Sequence, residues 1–459
     1  MSKTSRPLQF LVTVFLGMSR MNKLLSCWSP PQRAILLAIF AMPTLAAELP
    51  ESSTAAHLGV ATCAASQCHG SAIPRDGTGV LQNEYVTWTQ SDPHSGAYEI
   101  LSNEQSRLIA ARLGIGPARE AAICLDCHAD NVPAAKRGEK FQLSDGVGCE
   151  ACHGGAENWL STHYNAPEVT HAANLQAGLY PNEDADDRAD LCLSCHLGTR
   201  DKFATHKIMA AGHPRLAFEL DTFTELWRTA GRQPHYRVDA DYRERKDIDG
   251  HVYTWAAGLL AEGRRRLDLI QSSYFDSPGM FPELAFYDCH ACHRSMKTVQ
   301  WRSLPRHGGA DPGTPFINDG TFVMALALVR AIEPSEADGL LDALKRMHTA
   351  GSNSVSAIRD AGGDLDSILA RVESRLTPVK LRNRERLILE EVLATGADGN
   401  YLDYVSAEQA FMAVQMLVIE LDDPDLESEL DTLADSLNND ERYRPSEFRL
   451  LLSRLQDDE

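Results

Sequence analysis

Cys149-Glu150-Ala151-Cys152-His153, followed at once by Gly154-Gly155, is the stretch on which the reading of this chain turns. It has three counterparts: Cys124-Leu125-Asp126-Cys127-His128, Cys192-Leu193-Ser194-Cys195-His196 and Cys289-His290-Ala291-Cys292-His293. A fifth segment, Cys63-Ala-Ala-Ser-Gln-Cys68-His69, keeps the final Cys-His but spaces its thiols by four residues instead of two. Ten of the eleven cysteines thus fall in five pairs, each followed by His, and the eleventh is Cys27.

Two thiols at the shorter spacing add to the two vinyl groups of one porphyrin, and the imidazole of the next residue then lies under the iron. A zinc ribbon needs matched thiolate pairs but no His directly after the second Cys, and a disulfide framework gives no reason for one. The pattern therefore predicts five haem c groups, attached through Cys63 and Cys68, Cys124 and Cys127, Cys149 and Cys152, Cys192 and Cys195, and Cys289 and Cys292. The proximal iron ligands are His69, His128, His153, His196 and His293. For the wide first motif, a Cys63–Cys68 disulfide is the alternative.

Sixteen histidines less five proximal ones leave eleven for the opposite faces of the irons. His94 lies in Trp88-x-x-Ser91-x-x-His94-x-x-Ala97, a spacing close to one helical turn. His206 and His213 bracket Lys-Ile-Met-Ala-Ala-Gly212, where Gly212 permits close backbone approach to a flat macrocycle and Pro214 stiffens the chain beyond. His163 follows His153 by ten residues. These four, His94, His163, His206 and His213, are the expected distal ligands. His57, His171, His235 and His251 are weaker candidates, and His290, His307 and His348 weaker still, because a lone His is more often a surface or hydrogen-bonded residue. Met209 reads as packing.

The first 47 residues carry five basic side chains (Lys3, Arg6, Arg20, Lys23, Arg33) and no acidic one, with an apolar run Ala34–Met42 before the small pair Ala46-Ala47. This is the layout of a secretory signal peptide, with Met18 or Met21 as alternative starts, and it predicts export to the periplasm. Neither this run nor Leu8–Met18 reaches the ~20 residues of a membrane span, so membrane association is expected only if the leader stays uncleaved. Removing the five positive charges takes the formal charge from −20 to −25. Such a surface disfavours nucleic acid and favours a redox protein with a basic docking patch.

Every Cys pair lies between Cys63 and Cys292, and beyond residue 308 there is no Cys and one His, His348. Residues 48–308 are therefore read as a five-haem cytochrome c domain and 309–459 as a haem-free helical domain, joined through the Pro- and Gly-rich stretch Arg302–Asn318. The fold class expected is mainly α: a multihaem domain with little regular β structure, its core supplied by haem, followed by a C-terminal bundle of about five to seven helices. Breaks are expected at Glu333-Pro334-Ser335, Gly362-Gly363 and Arg444-Pro445-Ser446. One further helix is predicted from Tyr253 to about Gln271, bracing the haem stack.

At these residues the chain resembles the cytochrome c-554 family and related multihaem cytochromes. The resemblance rests on Gly59-Val-Ala-Thr-Cys63, the Trp88/Ser91/His94 segment, Cys149–Gly155, and above all Ala211-Gly212-His213-Pro214-Arg215-Leu216-Ala-Phe218-Glu219-Leu220, and it covers about residues 57–300. It implies stacked and perpendicular haem pairs, mostly bis-histidine ligation with one iron that can lack a sixth ligand, and electron transfer between a periplasmic redox enzyme and another carrier. Five haems, the wide first motif and the helical tail depart from the simplest members. An electron carrier is the leading expectation. The alternative is a reductase or oxidoreductase acting on a small nitrogen or sulfur oxo-species at one open haem, with Lys202, Lys207, Arg215, His235 and Tyr236 available as charge or proton donors. No Cys-x-x-Cys-Lys motif is present. The tail reads either as a docking module or as a plain stabilising bundle.

Overall fold

The computed structural model describes residues 47–75, 80–165, 170–229, 240, 249–276, 282–293, 304–309, 313–351 and 354–457. The expected leader, His235 and Tyr236 lie outside the described residues, as does part of the Pro- and Gly-rich stretch. Among the described residues the protein is helical, with three isolated β-bridges and no strand. No helix among them is long and apolar enough to cross a membrane.

The first half is made of short helices spaced by turns: α1 (Glu84–Ser91), α2 (Glu104–Leu113), α3 (Ala122–His128), α4 (Cys149–His153), α5 (Ala185–His196), α6 (His206–Ala210) and α7 (Leu220–Thr229). Four of the Cys-His motifs are themselves helical turns, and three form the last turn of α3, α4 or α5, which presents the terminal His at the helix end. Local signals set the ends. Asn103 caps α2 by accepting from Ser106 N at 2.7 Å, Gly114 closes it in the left-handed conformation, and Asp184 caps α5.

The longer helices that follow are α8 (His251–Ile270), α9 (Gly320–Ile332), α10 (Pro334–Ala350), α11 (Val355–Glu373), α12 (Glu385–Ala397), α13 (Tyr404–Leu421), α14 (Pro424–Asp435) and α15 (Pro445–Asp457). Pro334 and Pro445 each stand at the first position of a helix, as the expected breaks require. The Gly362-Gly363 break does not occur, because α11 runs straight through it. Gly362 is buried, and a Cβ there would sit 3.6 Å from Leu267 on α8. Close packing between α8 and α11 offsets the roughly 1 kcal/mol that each interior glycine costs.

Apolar burial is distributed unevenly. One continuous core runs from Ala185 to Leu455, whereas the N-terminal part holds only a small cluster of Leu101, Ala110, Ala118, Leu125 and Ala129. Helix α8 is the beam through the large core. Its Trp255, Ala256, Leu260, Leu267 and Ile270 are buried, and it lies against α5 on one side and α9, α11 and α13 on the other. Arg265 ties it to Asp190 of α5 at 2.9 Å, and Glu262 accepts from Arg266 and from Thr321 of α9. The chain from Glu48 to Glu459 forms one compact unit, so the boundary at residues 308/309 is a change of composition within it.

Inside the stretch expected as a linker, Arg306 and His307 are buried on a short 3-10 turn. The Arg306 Nε donates to Asp319 Oδ2 at 2.5 Å, and His348 Nε2 lies 3.0 Å from the same oxygen. Burial works against the Asp319 charge, yet Arg306 and His348 hold its carboxyl far below the usual range. Asp319→Asn leaves a buried guanidinium without its anion, and the expected loss is about 3–5 kcal/mol, read as a lowered denaturation midpoint.

A second polar tie joins three helices. His251, opening α8, is 2.9 Å through Nδ1 from Asp221 of α7 and 3.7 Å through Nε2 from Glu420 of α13. The hydrogen bond to Asp221 pushes its pKa up to about 9 from 6.5. Its contribution is therefore fully present below about pH 6.5 and is lost as pH rises through about 9. Thermal melts between pH 6 and 10 should show that loss, and His251→Gln should flatten it.

Candidate functional site

Each Cys-His motif is set by its own local hydrogen bonds. In the wide motif, Cys68 N donates to Ala65 O at 2.8 Å and His69 N to Cys63 O at 3.2 Å, so the two extra residues fold into a turn that returns the second thiol. Gly59 opens this segment at φ 96°, and a Cβ there would lie 2.3 Å from the Lys140 carbonyl oxygen, so no other residue fits. No disulfide joins any of the ten described cysteines, Cys63 and Cys68 included.

The ring nitrogens sort the histidines. His69 Nδ1 lies 2.9 Å from Glu84, His94 Nδ1 2.9 Å from Asp92, His128 Nδ1 3.1 Å from the Ala97 carbonyl and His213 Nδ1 2.8 Å from that of Pro214. In each case Nδ1–H donates, which fixes the tautomer whose Nε2 lone pair is the metal donor. The Glu84 hydrogen bond accordingly raises the His69 pKa. His153 Nδ1 stands 3.2 Å from the side-chain amide of Asn182, whose oxygen serves as acceptor when the amide is turned. His57 differs, being fully buried with Nδ1 on Asp130 at 2.8 Å and Nε2 on the Pro50 carbonyl at 3.3 Å. His171 engages Glu183 through Nε2, and His251 is held as described. These three histidines are structural.

The four expected distal histidines each face a different proximal one. Ring centres are 6.0 Å apart for His69 and His163, 6.1 Å for His94 and His196, 6.3 Å for His128 and His213, and 6.3 Å for His206 and His293. An iron bonded to two imidazoles at about 2 Å, with each ring centre about 1 Å behind its nitrogen, separates the centres by about 6 Å. The donor set therefore fits iron between the rings. Interplanar angles differ, from 18° in the first pair to 89° in the second.

Secondary contacts hold the ligand-bearing loops. Trp88 Nε1 donates to Val147 O at 3.2 Å, setting α1 against the approach to α4. Trp159 meets His163 edge to face at 5.6 Å, and Phe218 stacks on His196 at 4.6 Å. Helix α2 clamps the loop before His213, with Arg112 donating to Ala211 O at 2.8 Å and Gln105 to Gly212 O at 3.0 Å. Gly212 has φ 117°, and a Cβ would lie 3.2 Å from the Arg112 guanidinium. Backbone geometry and the α2 clamp, besides any approach to a macrocycle, require glycine here.

Thiols of different motifs meet. The Cys63 sulfur lies beside that of Cys149 and the Cys127 sulfur beside that of Cys195, and Cys152 lies within electrostatic range of Cys192 and Cys195. Lys202, one of the residues considered as a donor beside an open iron, is buried, binds Glu51, and donates to Asp126 O at 3.2 Å and Cys195 Sγ at 3.3 Å. It joins the motifs of α3 and α5.

Glu150, inside the third motif, is a residue that motif reading passes over. It is 3% exposed and accepts from three backbone groups: Leu58 N at 2.7 Å, Gly59 N at 2.6 Å and Ala156 N at 2.7 Å. One carboxylate thus fixes the start of the first motif and the end of the third. Glu150→Ala strands three buried donors at about 1–3 kcal/mol each; the expected result is loss of haem at both motifs, counted by mass spectrometry.

The remaining cluster of metal-type donors among the described residues is His307, Asp319 and His348. Its chemistry argues against a cation. Leu304 N–H donates to His307 Nδ1 at 3.1 Å, which places the ring proton on Nε2, and Arg306 already occupies the Asp319 oxygen.

Residues 62–154 match a family model described as cytochrome c554 and c-prime, which supports assigning the chain to the cytochrome c-554 family. That family is one of haem-based electron transfer, with covalently bound haem c and its iron. No curated protein and no solved structure matches the chain.

Proposed function

We propose that this chain is a five-haem electron carrier of the periplasm, exported through the leader at residues 1–47, passing electrons between a redox enzyme and a second carrier. The observation that carries the reading is the set of four histidine pairs 6.0–6.3 Å apart, each joining a Cys-His motif to a histidine elsewhere in the chain. In this reading each of the pairs His69/His163, His94/His196, His128/His213 and His206/His293 would hold one iron. Haem iron held by two imidazoles supplies a one-electron couple. The protein residues supply its setting: Glu84, Asp92 and the Ala97 and Pro214 carbonyls orient the rings, and Trp159 and Phe218 limit their rotation.

The contacts between thiols support a route. They bring the first motif beside the third, the second beside the fourth, and the third beside the fourth. The short segment from His206 to His213 carries one ligand for the fifth site and one for the second, so it links the fifth to the rest. Cys68 and Cys292, in the first and fifth motifs, are the exposed cysteines, which suits these two sites as the points where electrons enter and leave. The net charge of −20 suits a partner with a basic patch.

The test combines haem counting with low-temperature electron paramagnetic resonance of the oxidised protein, integrated against total haem. Five thioether-linked haems per chain and at least four low-spin irons are expected. His94→Ala or His163→Ala should each convert one iron from low- to high-spin. Two or more high-spin irons in the unmodified protein would contradict the pairing.

A further inference from the structure

Arg215 belongs to the segment most characteristic of the family resemblance, yet it takes no part in the four histidine pairs. Its Nη2 donates to Glu408 Oε2 at 2.8 Å, and its guanidinium carbon lies 5.8 Å from the ring centre of Tyr404. Both residues are on α13, in the haem-free part of the chain. The Tyr404 ring is in turn 6.1 Å from that of His290, inside the fifth motif, and the charges of Arg215, Asp288 and Asp403 all act on Cys289. On the other side, the approach to this motif is pinned to the chain that leads into α9. Asp288 N donates to Phe316 O at 2.9 Å, Asn318 N donates to Phe286 O at 2.9 Å, and Tyr287 and Ile317 form an antiparallel bridge. The fifth motif is therefore built between two pieces of the tail.

We infer that the C-terminal bundle completes the fifth haem site and that Arg215, held by Glu408 and Tyr404, sets the reduction potential of its iron. This rests on the reading that Cys289–His293 carries a haem. Ferric iron bears one more positive charge than ferrous, so a fixed guanidinium beside the site disfavours the oxidised state and raises the potential. Arg215 and Glu408 side chains are only 28% and 21% exposed, so solvent and salt screen them incompletely. Asp288, Asp403 and Glu408 act in the opposite direction, and loss of Arg215 leaves these carboxylates unbalanced. The tail, on this account, is neither a detachable docking module nor mere ballast. It holds in place the charge that tunes one end of the electron route.

The experiment is a spectroelectrochemical titration of the purified full-length holoprotein, resolving the five midpoints, with haem content counted in every variant. Arg215→Met should lower one midpoint by about 59 mV, a tenfold change in the ferrous-to-ferric ratio, while Arg215→Lys should leave it near its original value. Glu408→Gln should move the same midpoint upward. Opposite shifts from two halves of one ion pair do not arise from loss of packing. Unchanged midpoints, or shifts of the same sign in Arg215→Met and Glu408→Gln, overturn the inference. Should Arg215→Met fail to retain haem, Glu408→Gln decides, and absence of an upward shift overturns it. A wild-type chain with four haems and free Cys289 and Cys292 removes instead the five-haem reading, and this inference with it.

Discussion

Histidine rings brought opposite one another across long stretches of chain are the constraint on which the first half of this molecule depends. Between Glu48 and Asp184 the apolar core amounts to one small cluster, too little to fix so many short helices. His69 opposite His163, His94 opposite His196 and His128 opposite His213 each join segments far apart in sequence, and the spans interleave. An axial bond across such a span acts as a cross-link, and closing a loop of about 100 residues is worth roughly 4–5 kcal/mol in the chain-entropy picture. In the proposed reading, metal ligation and covalent attachment would take the place that apolar burial holds in an ordinary domain. The polar ties, Glu150 above all, keep the backbone in register for it.

The second half solves the same problem by packing. Helix α8 lies in the middle of a core extending from Ala185 to Leu455, touching the helix of the fourth motif with one face and the bundle with the other. Rigidity in the bundle is transmitted to α5 through buried apolar contact and the Arg265–Asp190 pair. The two halves are different answers to the cost of ordering a chain, joined where α5 meets α8 and where the fifth motif meets α13.

What could be read beforehand follows from which features are local. The Cys-x-x-Cys-His pattern is fixed by covalent chemistry within five residues, so it is visible without the fold. The four histidines picked out by their immediate context each lie opposite the histidine of a Cys-His motif, but which ring each one faces depends on contacts far along the chain that no spacing encodes. Glu150 was hidden because a charged residue between motif cysteines reads as solvated; the glycines at 59 and 148 around the two motifs were the available hint of tight backbone. Arg306 and Asp319 were hidden by the Pro- and Gly-rich stretch that resembles a linker, while the charges themselves close on each other from within it and from its far end. Gly362-Gly363 misled because propensity is weak against a well-packed helix face.

The order of ligands along the chain also divides the sites in time. For the motifs ending at His196 and His293, the opposing His94 and His206 have already been made when the motif appears. For those ending at His69 and His128, the opposing His163 and His213 come later. In the five-haem reading, irons held at the motifs ending at His69 and His128 would keep one face bare while the chain lengthens, exposed to any small molecule that binds iron. The other two could close at once. A polypeptide stalled before residue 213 would carry four of the five motifs while the histidine opposite His128 is still missing, so in the five-haem reading its redox chemistry would be that of a different protein.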